Sequence, residues 1–387
     1  MTVATKVNWH WVVIACINLF LFGLSDNIRG PIFPEILAEF QLSHSRGSLF
    51  FAVTSLLTAS GALLVPWVVR RTDKGLALLL FTSLLAVSQW GYFVSSSYRL
   101  VLMFAVLLGV AMGGLAVLQN LIVVASTPAH RRPQIQNGLH ACYGASSVLA
   151  PGLVIALSLL GLTWRWSFLV TCLLDGLFAV LLVVWGRSRG GVLPIEEPPH
   201  LTNARYSRRE AWYMALIVAL YLALELLLSS RLAVLMREVR GLDLRDSSFW
   251  VLVFFGGLFF GRVVFSFVRP GVSLRFQLIV CLILTAVLIF GGVSWAPELL
   301  CLAGLTLAPF YPLILTGMSY LFHKNVDRAT SLALALSGFA VVSMHGAVGW
   351  ISDLYGIRMA YGLGLILTAI ILLLILCYHR FFGRSIP

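Results

Sequence analysis

Twelve stretches of mostly apolar residues, each about 20 residues long, divide almost the whole sequence. The hydrocarbon core of a bilayer is about 30 Å thick, and about 20 apolar residues in a helix cross it. Only helices and closed barrels satisfy every backbone hydrogen bond in lipid, and barrel strands are shorter, with alternating polarity. The sequence therefore predicts an all-α polytopic membrane protein with twelve transmembrane helices.

The predicted spans follow one another with short connections. They are 9–33, 46–69, 76–96, 99–126, 136–160, 165–186, 211–235, 247–268, 274–293, 296–322, 329–352 and 358–381. The first is predicted as a span and not as a signal peptide, because its apolar run is too long and no small-residue cleavage site follows it. The chain is 60% hydrophobic and 11% charged, whereas soluble domains are about 25% charged.

Lysine and arginine are concentrated in alternate loops, for example at Arg70, Arg71, Lys74, Arg131 and Arg132. This bias is typical of the cytoplasmic loops of membrane proteins. We therefore predict that both termini are cytoplasmic, in a bacterial inner (plasma) membrane. The net charge of +12 then reflects topology and contact with anionic membrane lipid, and we expect no nucleic-acid binding.

The longest polar stretch, 187–210, contains three prolines and lies between the sixth and seventh spans. We predict a cytoplasmic linker there, between an N-terminal six-helix bundle at 1–186 and a C-terminal six-helix bundle at 211–387. The halves resemble each other: Gly61 in span 2 and Gly257 in span 8 are each followed by apolar residues that end in arginine. Repeated six-helix units are a transporter architecture.

Ionisable residues inside the predicted spans are few. They are Asp26, Arg29, His140, Asp175, Glu225, Arg231, Arg262 and His345. On insertion scales a charged side chain at mid-membrane costs about 2.5–3.5 kcal/mol, so each needs a partner, a water-filled cavity or a function.

Asp26 and Arg29 are three residues apart, which places them on one face of a helix. The arginine favours the ionised acid, whereas desolvation favours the protonated one. Such an acid can take up and release a proton during transport. A fixed ion pair that holds span 1 against a neighbour is the alternative.

Glu225 lies in the middle of span 7 and has no cation three or four residues away in sequence. Burial of an unpaired carboxylic acid favours its protonated form. Glu225 is therefore the leading candidate for a proton-binding or substrate-binding residue. The alternative is a neutral glutamic acid that hydrogen-bonds to Ser or Tyr. Arg231 is expected on another face, snorkelling toward the outer surface.

His140 and His345 are candidates for proton transfer or solute binding, since imidazole titrates near neutral pH; packing histidines are the alternative. Asp175 is interpreted as a polar contact between helices. Uncharged candidates for a solute site are Gln119 and Asn120 in span 4, together with the aromatic residues Tyr143 and Tyr311.

No enzyme or metal motif is present in the sequence. There is no nucleophile elbow, phosphate-binding loop or His-Glu-x-x-His. The six cysteines form no Cys-x-x-Cys pair, which argues against a disulfide framework or a metal site. We expect no cofactor and no catalytic activity.

Four segments resemble a known family. They are NGLHACYGASSVLAPG (Asn137–Gly152), YLALELLLSSRL (Tyr221–Leu232), GLTLAPFYPLIL (Gly304–Leu315) and GWISDLYG (Gly349–Gly356). On these segments the chain resembles the major facilitator superfamily over essentially its full length. Within it, the chain is most similar to the bacterial sugar-transporter branch that includes the fucose–proton symporters.

The resemblance implies two six-helix bundles that alternate access to a site between them. It implies gating or structural roles for Arg262 at the end of span 8 and for Arg70 and Asp73 around the loop after span 2. That loop departs from the family pattern. The span 4 carboxylate of the fucose-type transporters is also absent, since Gln119 and Asn120 occupy that region.

We therefore expect a secondary transporter that moves a small polar solute, with a sugar favoured, by proton-coupled alternating access. Asp26, Glu225 and His140 are the predicted proton-coupling residues. The predicted substrate-binding residues are Arg29, Gln119, Asn120, Tyr143, Tyr311 and His345. Besides solute, protons and lipid we expect no partner, and the protein is predicted to be a monomer.

Two alternatives remain open at this point. The same fold can export drugs, amphipathic compounds or metabolites by proton antiport. A receptor or an embedded enzyme on a transporter scaffold is the third reading, against which the absence of a soluble domain and of a catalytic motif argues.

Overall fold

The computed structural model describes residues 6–188, 207–267, 271–322 and 325–383, and these residues contain helices and no strands. Within these described residues, twelve segments are long and apolar enough to cross a membrane, and we number them span 1 to span 12. This confirms the predicted all-α polytopic fold.

The helices of the first half are Trp9–Asn27 and Arg29–Glu39 (span 1), His44–Arg71 (span 2), Lys74–Val94 (span 3), Tyr98–Ser126 (span 4), Arg132–Leu159 (span 5) and Arg165–Ser188 (span 6). Those of the second half are Arg208–Ser230 (span 7), Leu244–Phe267 (span 8), Leu274–Ser294 (span 9), Leu299–Leu307 and Phe310–Phe322 (span 10), Val326–Tyr355 (span 11), and Ile357–Ala360 and Gly362–Phe382 (span 12). A short helix, Leu232–Arg240, follows span 7, and a 3-10 turn, Ala129–Arg131, precedes span 5.

Local sequence explains where several helices begin and end. Asp73 caps span 3, because its side chain accepts a hydrogen bond from the Leu76 backbone N–H at 2.9 Å. Ser207 and Ser273 cap spans 7 and 9 in the same way. The helix Leu232–Arg240 ends at Gly241, which adopts the left-handed conformation with φ +68° that glycine tolerates best.

Two of the breaks position functional residues. Span 10 is interrupted between Leu307 and Phe310, at Pro309, which cannot donate the backbone hydrogen bond that a continuous helix requires. Arg231 separates span 7 from the short helix after it. Helix ends leave backbone carbonyls without partners inside the helix, so each break offers acceptors to neighbouring side chains.

The chain divides into two compact units over its described residues. Unit 1 comprises Met1–Arg29 and Val53–Pro199, and unit 2 comprises Gly30–Ala52 and His200–Pro387. The end of span 1 and the start of span 2 therefore belong with the helices of the second half. The predicted linker at 187–210 lies mostly outside the described residues, so the predicted boundaries of the two bundles stay a prediction.

Gly61 and Gly257, which occupy equivalent positions in the two halves, make similar contacts within their own units. In unit 1, a Cβ on Gly61 in span 2 would lie 2.1 Å from the Val110 carbonyl oxygen in span 4. In unit 2, a Cβ on Gly257 in span 8 would lie 3.1 Å from the Leu305 nitrogen in span 10. The second and fourth spans of each half thus approach each other closely at a small residue.

Candidate functional site

Glu225 lies in the interior of span 7, one helical turn after Tyr221. The i, i+4 spacing places both side chains on one face, and the Tyr221 hydroxyl hydrogen-bonds to Glu225 Oε2. Tyr221 is fully buried, whereas 17% of the Glu225 side chain is exposed. The acid is therefore partly accessible and its partner is not.

Arg262 of span 8 is the cationic partner of this acid. Its Nη2 lies 3.3 Å from Glu225 Oε2, so Glu225 is not unpaired in the folded protein. The two residues are 37 positions apart in sequence. The packing of spans 7 and 8 within unit 2 brings them together. We call Glu225, Tyr221 and Arg262 the Glu225 cluster.

The Tyr221 hydroxyl faces a second acceptor, the Leu307 carbonyl oxygen, at 3.2 Å. That carbonyl is at the end of the first helix of span 10, where helix carbonyls lack internal partners. A phenol has one proton to donate. If Tyr221 donates to an ionised Glu225, it does not donate to Leu307. If it donates to Leu307, its oxygen can accept a hydrogen bond from a neutral Glu225. The cluster thus has a hydrogen-bonding arrangement for both protonation states.

Aromatic side chains form one wall of this cluster. The Tyr221 ring stacks on Phe310, with centroids 4.6 Å apart, and faces Tyr311 at 6.1 Å. Both of these residues follow the break in span 10. Phe310 is fully buried, whereas Tyr311 is half-buried. Tyr311, predicted to bind substrate, therefore lies next to Glu225's partner and remains partly accessible.

A second cluster of the same residue types lies in unit 1. Asp26 and Arg29 form an ion pair, as their spacing in span 1 suggests, and the Arg29 Nε also donates to the Asp26 carbonyl oxygen at 3.1 Å. Tyr143 of span 5 donates to Asp26 Oδ2 at 2.9 Å. We call these three residues the Asp26 cluster. The carboxyl group is 22% exposed and the Arg29 side chain 9%.

Asp175 of span 6 lies beside the Asp26 cluster. Its Oδ2 accepts a hydrogen bond from Ser25 at 3.1 Å, and Asp175 is 1% exposed. This geometry agrees with the predicted polar contact between helices. Ser25 itself was not singled out by the sequence, since a serine in a span carries no spacing signal that names its partner.

The structure places the other predicted solute ligands in different surroundings. Gln119 is buried, and its side-chain amide lies 2.6 Å from Asn18 Oδ1 in span 1. Asn18 in turn donates to Thr82 of span 3 at 2.8 Å. Asn120 is half-buried and donates to the Ala116 carbonyl oxygen of its own helix. Gln119 therefore contributes to the packing of spans 1, 3 and 4.

The two candidate histidines differ in exposure. His140 is exposed near the start of span 5. His345 of span 11 is 2% exposed, and its Nδ1 lies 3.4 Å from Arg231 Nη2. The prediction that Arg231 snorkels to the surface is wrong, because this residue is 1% exposed. Its guanidinium turns inward and hydrogen-bonds to Ser48 at 2.9 Å.

The three predicted gating or structural residues lie in different parts of the structure. Asp73 caps span 3, whereas Arg70 is exposed at the end of span 2. Arg262 belongs to the Glu225 cluster. Within the part of the chain that the structure describes, no three His, Cys, Asp or Glu residues lie close enough together to hold a metal ion.

Comparison with known proteins gives a consistent result. The chain is 23% identical to the glucose/mannose transporter GlcP of Bacillus subtilis (strain 168) over 359 residues, which are 86% of this chain and 85% of that protein. Among solved structures, a bacterial homologue of the human lysosomal transporter Spinster matches with a TM-score of 0.77 and 14% identity, covering 98% of both chains. A D-xylose–proton symporter matches with a TM-score of 0.69 and 15% identity, covering 95% of this chain and 97% of that one.

The family profile described as Major Facilitator Superfamily matches residues 15–343, which is most of the chain. This match confirms the family that the four sequence segments indicate. It also confirms that the protein is a transporter embedded in the membrane by many spans, and not an enzyme. The chain belongs to the major facilitator superfamily.

Proposed function

We propose that this protein is a proton-coupled secondary transporter for a small polar solute, with a sugar favoured. It acts in a bacterial inner membrane with both termini in the cytoplasm, and it works by alternating access. The basic loops support that orientation.

The arrangement of the Glu225 cluster is the observation that carries the proposal. A proton carrier has to be stable both with and without its proton, in surroundings that exclude most water. Arg262 and the Tyr221 hydroxyl stabilise the ionised acid, and the Leu307 carbonyl lets Tyr221 turn away when the acid is neutral. The partial exposure of Glu225 gives protons access.

Proton binding also changes what Arg262 can do. When Glu225 is ionised, the guanidinium is paired with it. When Glu225 takes a proton, the pair loses its charge attraction and Arg262 can donate to hydroxyl groups of a solute. Tyr311 offers an aromatic face for the apolar side of a sugar ring. Proton and solute binding are thereby favoured together, which is the requirement for symport.

The Asp26 cluster repeats the acid, arginine and tyrosine in unit 1, and we assign it the second coupling role. A sugar is favoured because a relative in sequence is named as a glucose/mannose transporter, and a protein of the same fold is named as a D-xylose–proton symporter. The first is a sequence relative across most of both chains, whereas the second shows the fold alone.

The proposal is tested with purified protein in proteoliposomes. Radiolabelled D-glucose, D-mannose and D-xylose are supplied outside, with the interior alkaline relative to the exterior. We expect at least one sugar to accumulate above its external concentration, and a protonophore to abolish the accumulation. Equal uptake with and without the gradient would contradict proton coupling. If none of the sugars is taken up and the gradient drives expulsion of amphipathic dyes, the result would support the export alternative instead.

A further inference from the structure

The residues Gly30–Ala52, which we call the outer segment, are held to the second half by several polar contacts within unit 2. They comprise the end of span 1, the loop after it and the start of span 2, on the predicted outer side. The Asp353 carboxylate of span 11 accepts hydrogen bonds from the backbone N–H groups of His44 and Ser45, at 2.6 and 2.9 Å. Glu35 forms an ion pair with Arg237 of the short helix after span 7.

Arg231 is the buried centre of this interface. Its Nη2 donates to Ser48 Oγ at 2.9 Å. Its guanidinium carbon lies over the rings of Phe33 and Phe51, at 4.4 and 4.9 Å from their centroids. Three residues of the outer segment thus contact one cation that is 1% exposed. Because the ring faces are electronegative, these contacts favour a cation at this position.

His345 of span 11 completes the centre. Its ring stacks on Phe51 with centroids 5.0 Å apart, and its Nδ1 lies 3.4 Å from Arg231 Nη2. A guanidinium has only donors, and a protonated imidazole has donors on both nitrogens. The contact is therefore favourable only if Nδ1 carries no proton. The buried arrangement requires neutral His345.

We propose that His345 is a further proton-binding site, separate from the Glu225 and Asp26 clusters, and that its protonation releases the outer segment from spans 7 and 11. A proton on Nδ1 removes the acceptor that His345 offers to Arg231 and places two cations side by side in a buried position. Release of the segment exposes the imidazole, and protons then bind to the released state in preference to the closed one.

The other titratable groups of the interface act differently. His44 Nε2 lies 3.2 Å from Glu238 Oε1, so protonation of His44 strengthens that contact and opposes release. The contacts of Asp353 with backbone N–H groups and of Glu35 with Arg237 contain no imidazole, the side chain that changes its charge near neutral pH. Of these contacts, the one between His345 and Arg231 is weakened by acid.

The size of the effect follows from proton linkage. An exposed imidazole titrates near pH 6.5, so lowering the pH from about 7.5 to about 5.5 increases the released population about tenfold. Measuring this population requires neither solute nor transport. Failure of the proposed transport function and failure of this proposal can therefore be told apart.

Hydrogen–deuterium exchange of the intact protein tests the proposal. Labelling times at the two pH values are scaled for intrinsic exchange rates, and span 3 serves as the internal reference. We expect exchange in residues 30–52 of the wild type to be about tenfold faster at the lower pH, with the rise beginning as the pH falls through about 6.5. His345→Gln keeps an oxygen acceptor for Arg231 but does not titrate, so its outer segment should stay protected at both pH values.

His379→Gln, near the end of span 12, is the matched control and should respond as the wild type does. A pH response that persists in His345→Gln would overturn the proposal, because another group would then be responsible. An outer segment equally protected at both pH values in the wild type would also overturn it, and that result does not depend on whether the variant folds.

Discussion

At the scale of single residues, the partners of each buried charge decide its chemistry. Glu225 and Arg231 lie six residues apart on one stretch of chain, but they contact different parts of unit 2. Glu225 is partly exposed and faces a tyrosine and an arginine, which suits reversible protonation. Arg231 is sealed between two phenylalanine rings, a serine and a histidine, which suits a fixed cation.

Tyr221→Phe tests the role of the hydroxyl that donates a hydrogen bond to Glu225. Without this donor the ionised acid is less well stabilised, and hydrogen bonds to charged groups contribute about 1.5–3 kcal/mol. We expect the pH at which gradient-driven uptake is half-maximal to move up by about one to two units, measured as initial rates in proteoliposomes.

Tyr213→Phe is the control for the tyrosine substitution, since it lies two turns earlier on span 7 and donates to the Leu374 carbonyl at 2.7 Å. Its pH profile should match that of the wild type. If Tyr221→Phe and Tyr213→Phe have the same profile, Tyr221 does not influence the proton site.

Some of these partners could be predicted from the sequence. The spacing of Asp26 and Arg29 predicts their ion pair, and Tyr221 could have been found because it lies four residues before Glu225. Arg262 could not be assigned to Glu225, because pairs between different helices depend on how the spans pack. The burial of Arg231 was missed for the same reason, since Phe33, Ser48 and Phe51 come from the other half of the chain.

At the scale of elements, close approach of helices depends on glycines at a few positions. A Cβ on Gly304 in span 10 would lie 2.0 Å from the Phe254 carbonyl oxygen in span 8. A backbone atom cannot move aside as a flexible side chain can, so the two helices would have to separate. Gly256 in span 8 has no heavy atom within 4 Å of its Cβ position.

Gly304→Ala should therefore destabilise the protein, and Gly256→Ala should not. Overpacking of this kind costs about 1–3 kcal/mol, whereas alanine in an open helical position is about 1 kcal/mol more favourable than glycine. Thermal unfolding of both purified variants in the same detergent measures the difference. Equal Tm values for the two variants would contradict the close contact between spans 8 and 10.

The short helix after span 7 is tied to the start of span 10 by an ion pair outside the membrane. Arg240 Nε lies 2.7 Å from Glu298 Oε1, and this hydrogen bond lowers the pKa of Glu298. A carboxyl group with a lowered pKa contributes stability above its unfolded value, about 4.3, and loses it as the pH falls through the folded value.

Glu298→Gln should accordingly lower the Tm slightly at neutral pH, because exposed ion pairs contribute little. The difference in Tm between wild type and variant should disappear as the pH drops below about 4. A gap of the same size at acidic pH would show that the carboxylate charge is not its source.

Most element boundaries could be predicted from apolar length alone. Two spans differ: span 7, predicted at 211–235, ends at Ser230, and span 1, predicted at 9–33, continues through the helix Arg29–Glu39. Pro31 lies in the first turn of that helix, where a missing N–H is tolerated. Its later residues include the charged Glu35, so a prediction from apolar length stops before it. In the structure Glu35 forms an ion pair with Arg237 of unit 2.

At the scale of the whole molecule, the fold class and the family follow from features spread over the entire chain. Twelve apolar runs predict the spans, and the family segments lie in both halves. The grouping of Gly30–Ala52 with the second half was not predictable, because it arises from tertiary contacts of a segment whose sequence is continuous with span 1. The proposed coupling site depends on the same kind of contact.

Glu225→Gln provides the most direct test of proton coupling, the central claim of this account. The amide is close to the neutral acid in size and cannot release a proton. Two reactions are compared in proteoliposomes with the sugar identified for the wild type: accumulation driven by a proton gradient, and exchange of labelled for unlabelled sugar without a gradient. We predict that the variant loses accumulation but keeps exchange. Gradient-driven accumulation at the wild-type level in Glu225→Gln would contradict the account.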